Sequence, residues 1–156
     1  MGIILLDKNN FKDWIASRIE DGDWNAIERH FNEAPFSRHM GLMVVLDEPA
    51  RPRCVIREDM PFHLGGVGQH FINGAIISAM FDFVIGLTAL KYASQGNFAT
   101  SNVNIKLLKP VEKGGVYAIA ECRHEIGRRL FVESTLFNGK DEPCCFATGE
   151  IRVAIK

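Results

Sequence analysis

The sequence predicts an α+β fold: a bent antiparallel β-sheet wrapped around one long central helix, preceded by an N-terminal helical segment. Three observations predict it. Apolar residues recur at helical spacing between Phe11 and Phe31, a nearly continuous apolar run extends from Ala75 to Leu90, and four alternating segments follow in a row between residues 97 and 155. The 156 residues, 47% apolar and 24% charged, suit one compact domain that buries a real core, here divided into a helical extension (1–34) and a core (35–156).

The first segment places Phe11, Trp14, Ile15 and Ile19 on one helical face, breaks near Gly22, and resumes with Trp24, Ile27 and Phe31 behind a capping residue, Asp23. Short strands are expected at 41–46 and 53–57, parted by the turn Pro49–Pro52. A glycine-rich loop (62–70) then leads into the apolar run, whose interruptions are Ser78, Asp82, Gly86 and Thr88. The run reads as too short and too polar to span a bilayer, and a helix apolar on almost every side must be surrounded by protein. The wrapper is supplied by strands at 97–108, 115–126, 129–137 and 144–155. Val103, Ile105 and Leu107 alternate there with Asn102, Asn104 and Lys106, and turns are marked by Pro110 with Gly114–Gly115, by Gly127, and by Asn138–Gly139 with Pro143.

Composition excludes several classes of function. A formal net charge of −1 gives no general field for nucleic acid, so polyanion binding is not expected. The N-terminal apolar run is too short for a signal peptide and ends at Asp7 and Lys8, and Leu6 stands where a myristoylation signal needs Ser or Thr, which reads as a cytoplasmic chain with no membrane partner. Cys54, Cys122, Cys144 and Cys145 form no metal or redox motif and read as reduced core residues, with the adjacent pair pointing to opposite faces of a strand. No histidine pairs at helical spacing with a nearby Glu as a zinc helix requires.

Asp82 is the residue that calls for a reason. An ionised carboxylate is rarely buried without a partner, because desolvation is expensive. Two readings are open: a structural carboxylate, capping a loop or paired with an arginine of the sheet, or a reactive group in a site.

The residues from Asn73 to Gly115 resemble the PaaI-like branch of the hotdog acyl-CoA thioesterases. Asn73-Gly74-Ala75 stands where that family opens its helix with His-Gly-Gly, and Asp82 falls in the register of its catalytic carboxylate. Residues 100–115 resemble the family's strand ending in Pro and then Gly, with Thr100 where some members hold the attacking water. Residues 35–45 are similar to the lead into its first strand, and residues 125–134 to its Gly-Arg hairpin. The sequence departs from the pattern at three positions: Asn73 for His, Ala75 for the second Gly, and Val67 for an Asn six residues upstream. Gln69, His70 and His63 are the polar residues nearby that could compensate, although a lone loop histidine more often has a structural role.

The resemblance implies hydrolysis of a thioester to a carboxylic acid and free CoA, with no metal or redox cofactor. Asp82 would act as base or nucleophile, the amides of Gly74 and Ala75 as the oxyanion hole, Asn73 would orient the acyl carbonyl, and Thr100 would position water or Asp82. The helix N-terminus suits an oxyanion, since its free N–H groups and dipole face outward there. Asp82, however, lies eight residues beyond Gly74, about 12 Å along the axis at ~1.5 Å per residue. One helix cannot readily serve one carbonyl at both points, so antiparallel packing of two chains is expected: a homodimer, with a dimer of dimers as a further level, and two shared sites. Arg128 and Arg129, with Lys106, Lys109 and His70, are the candidate CoA-binding residues because arginine matches phosphate geometry; a solvated surface is the alternative for each. A hydratase would need a His beside Asp82, and none follows within a turn. A non-catalytic acyl-CoA or fatty-acid binding protein is the remaining competitor.

Overall fold

The computed structural model describes residues 8–66, 68–92 and 97–154. Val67, one of the three departures named above, lies outside them. Three helices come first: α1 (Lys8–Asp21), α2 (Trp24–Glu33) and α3 (Pro35–Met40). Asp23 caps α2 as expected, its carboxylate accepting from the Ala26 N–H at 3.1 Å while Arg18 donates to its other oxygen. The sequence reading missed α3, which begins with Pro35 in the first turn and ends at Gly41 in the left-handed region, φ +64°. Its six residues are too few and too polar to show a helical period.

The strands β1 (Leu42–Val45), β2 (Arg53–Ile56), β3 (Phe98–Leu107), β4 (Tyr117–Ile126), β5 (Arg129–Phe137) and β6 (Pro143–Val153) form one antiparallel sheet in the order β1-β2-β4-β5-β6-β3. All six fall where the sequence reading placed them, within two residues at each end. The central helix α4 (Gly74–Thr88), extended by a 3₁₀ turn to Lys91, packs against β2, β3, β4, β5 and β6, so the sheet curls around it in the hotdog arrangement. Gly149 lets β6 pass close beneath α4: a Cβ there would stand 2.5 Å from Ile85. Phe81, Met80 and Ile85 are fully buried, and each buried side chain of this size contributes about 1.5–3 kcal/mol by leaving water. A second cluster, Ile15, Ile27, Val44, Leu46, Leu87 and Leu90, fastens α1 and α2 to β1 and the end of α4.

Two expectations are corrected here. Counted through the 3₁₀ turn, Gly74–Lys91 is an 18-residue segment apolar enough to cross a bilayer by length and composition, so shortness does not exclude a span; the sheet packed around the helix is what makes it a core element. Cys144 and Cys145 are both buried rather than divided between an inner and an outer face. A register shift opposite them, between Leu136 and Phe137, breaks the regular alternation at that end of β6. Burial pushes the Cys54 thiol up to about 12 and Cys145 up to about 11, so neither is a ready nucleophile.

Candidate active site

The core helix is not enclosed on every side. Gly74, Ala75, Ser78 and Asp82 are exposed, and Ala79 and Gly86 are half-buried, which at four-residue spacing makes one open stripe of small residues along α4. Asp82 was expected in a buried setting. It is instead exposed on this stripe, because the chain's own sheet covers only the opposite faces, and among the described residues its carboxylate has no ion-pair or hydrogen-bond partner. The structural reading of Asp82, as a paired or capping carboxylate, thereby finds no partner group among the described residues.

At the head of the stripe, Asn73 caps the helix. Its Oδ1 accepts from the Ile76 N–H at 3.0 Å, its Nδ2 donates to the Phe62 carbonyl at 2.6 Å, and its own N–H donates to the His63 carbonyl at 2.7 Å. The structure thus gives Asn73 a different duty from the one expected of it: both ends of its carboxamide are engaged by its own chain. The cap takes the third amide of the helix, while the N–H groups of Gly74 and Ala75 find no acceptor among the described residues.

His63 braces this head from below. It is fully buried, and its Nδ1 accepts from the Met60 N–H at 3.1 Å, so Nε2 carries the proton and donates to the Met40 carbonyl at 2.7 Å. The histidine therefore ties α3 and the 60–64 turn to the residue that caps α4. Ser78, which sequence reasoning missed, stands midway along the stripe and donates to the Gly74 carbonyl at 2.7 Å. Its spacing, four residues after Gly74 and four before Asp82, was the available signal.

One flank of the stripe is β3, which runs antiparallel to α4. Leu107 lies beside Gly74, and Thr100 lies beside Gly86, its Oγ1 3.5 Å from where a Cβ would be. Thr100 is therefore one turn beyond Asp82, and a β-bulge between Thr100 and Asn102 turns the strand at that point. Because β3 pairs only with β6, its outer edge is open, and Leu107 and Leu108 beside it are 59% and 66% exposed. On the other flank Phe83 meets Phe31 and Phe36 edge to face.

The cations expected to bind CoA divide into two groups at opposite ends of β3. Lys106 and Lys109 lie at the Gly74 end, with Lys109 paired to Glu142 at 3.3 Å. His70 is exposed in the turn before α4, its carbonyl accepting from the Lys113 N–H. Arg128 and Arg129 lie at the Thr100 end, where Arg129 is registered against Arg152 and Arg152 against Ala99, and Arg129 contacts Glu150 at 3.3 Å. Arg123 is consumed by Glu121 and Glu133 on the outer face of the sheet. Among the described residues no three His, Cys, Asp or Glu side chains gather as metal ligands.

A thioesterase superfamily model matches residues 69–145, from the loop before α4 into β6. No curated protein matches the chain. Among solved structures, a thioesterase-superfamily-related protein from Shewanella oneidensis aligns at TM-score 0.73 and 18% identity over 90% of this chain and 97% of its own. The Escherichia coli PaaI protein of the phenylacetic acid degradation operon aligns at 0.68 and 15%, over 90% and 96%. Zebrafish thioesterase superfamily member 2 aligns at 0.69 and 14%, over 83% and 97%. At these identities the likeness establishes a common fold. The matched segment carries the open stripe, its capping residue and the strand beside it, and this match together with the shared fold supports the hotdog thioesterase superfamily, PaaI-like proteins included, as the family that the chain resembles.

Proposed function

We propose that the chain is a cytoplasmic acyl-CoA thioesterase working as a homodimer with two shared sites. The observation that carries this reading is the open stripe of α4, with two unpaired amides at its head and an unpaired carboxylate two turns along. Those groups lie about 12 Å apart along the axis, too far to serve one carbonyl, and the edge of β3 beside them is open and apolar at Leu107 and Leu108. A second copy laid antiparallel on this surface would bring each helix head to the other chain's Asp82 and cover the exposed leucines.

In such a site the thioester oxygen accepts from the Gly74 and Ala75 amides, which stabilise the charge developing on it. Asp82 either removes a proton from water as the water attacks the carbonyl carbon, so that C–S cleavage leaves the acid directly, or attacks that carbon itself, so that C–S cleavage leaves a mixed anhydride which a water molecule then hydrolyses to the acid and free Asp82. In both routes CoA leaves as a thiolate that takes up a proton. Asn73 and His63 hold the amides in place, and Thr100 faces the far side of Asp82. No metal or redox cofactor enters these steps. Single-turnover reaction in ¹⁸O-water with hydroxylamine trapping distinguishes the two routes: label in the Asp82 carboxylate or a trapped acyl group supports the nucleophile, and label in the product acid alone with no acyl group trapped supports the base.

A second reading has one observation in its favour. Asn73 stands where the family has a histidine and spends its carboxamide on its own chain, which would suit a protein that binds acyl-CoA without cleaving it. Acyl-CoA binding with no CoA release from aliphatic or aromatic acyl-CoAs would establish that reading.

A further inference from the structure

A cleft of about 1070 Å³ opens where α1 passes the ends of β3, β5 and β6. Its walls are apolar and partly aromatic, with Phe11 from α1 and Phe98 from β3, and they include Ile126, which is 66% exposed. Its cations come from three elements: Lys12 from α1, Arg128 and Arg129 from the β4–β5 hairpin, and Arg152 from β6. Among the described residues no carboxylate lines it; Glu150, which holds Arg129, is not part of the lining. Ala99 lines the cleft and precedes Thr100, which touches Gly86 one turn from Asp82, so the cleft lies at the same end of β3 as the carboxylate end of the stripe, on the opposite face of the strand.

A bare acyl chain would be served by the walls alone and gains nothing from four cations. A simple polyanion would be served by the cations and gains nothing from aromatic walls. We infer that this cleft holds the nucleotide end of CoA, its purine against the aromatic walls and its phosphates on Lys12, Arg128 and Arg152, with the N-terminal helix α1 as a substrate-binding element. The inference rests on the acyl-CoA reading above and extends it to residues outside the segment that the family model matches.

The test uses the full chain with Lys12→Ala and Arg152→Ala combined, and Lys140→Ala on the far β5–β6 turn as a control. Calorimetric titration with CoA and with adenosine 3′,5′-bisphosphate reads the cleft without any turnover. The double variant is expected to weaken both at least tenfold, and to lower kcat/KM for an acyl-CoA at least tenfold more than for the same acyl group on N-acetylcysteamine; Lys140→Ala should change neither. Unchanged affinity for both probes, or equal losses on the two thioesters, would overturn the assignment. So would a change confined to acyl-chain preference, which would make the cleft an acyl pocket. If the unsubstituted protein binds CoA but releases none from acyl-CoA, the hydrolase reading fails by itself and the titrations still decide the cleft.

Discussion

At the scale of single residues, the site is held by groups that never meet substrate. His63, itself fully buried, pairs with the half-buried Met60 N–H and Met40 carbonyl, and its own carbonyl holds the residue that caps α4. His63→Ala should therefore cost about 1–3 kcal/mol in denaturant unfolding, as buried polar groups lose their partners. Cys54 offers a different test. Its thiol is held protonated up to about 12 in the fold, against an ordinary 9.0, so between those values the folded chain binds more protons than the unfolded one. Stability contributed by the neutral thiol is complete below pH 9 and is lost as pH rises toward 12. Cys54→Ala should flatten the decline of Tm between pH 9 and 11 relative to the native chain; parallel declines would contradict the burial argument.

At the scale of elements, the helix–sheet contact is set by one small residue. Gly149 lets β6 pass directly beneath Ile85, and Gly149→Val should cost about 1–3 kcal/mol from overpacking, read as a lower denaturation midpoint. Strands were the most legible elements, because residues such as Val103 and Ile105 alternate with asparagines and glycine-bearing turns bound each run. α3 was invisible because six residues hold less than two turns. The apolar run of α4 was read correctly as a core helix, but its open stripe was not foreseen: Gly74, Ala75, Ser78 and Gly86 are small rather than polar, and a run of small and apolar residues does not show which face a curved sheet leaves uncovered. Sequence also grouped Lys106, Lys109, Arg128 and Arg129 as one cluster, since they are near in the chain; the β3 and β4–β5 geometry sends them to opposite ends of the sheet.

At the scale of the whole molecule, the single chain is half of a machine in the reading proposed here. The Asp82 carboxylate and the Gly74 and Ala75 amides share one face but not one point, and the strand beside them ends at an unpaired, leucine-bearing edge. The resemblance seen in sequence singled out Asp82, Gly74 and Ala75, which lie on one exposed face of α4, while the roles of Asn73 as a cap and His63 as its brace emerged only from the hydrogen bonds. The most direct measurement is complementation between two inactive chains. Gly74→Pro removes one oxyanion donor at the first helical position, where proline is tolerated and where Asn73 at ψ 156° already has the extended backbone that a following proline requires. Asp82→Ala removes the carboxylate. Each chain alone should lose at least ~100-fold in kcat for CoA release. Mixed and allowed to exchange subunits, they should recover roughly a quarter of the native activity, because half of the dimers then carry one intact composite site. Recovery at that level is the result a shared site predicts; mixtures as inactive as either parent, with exchange verified, would contradict it.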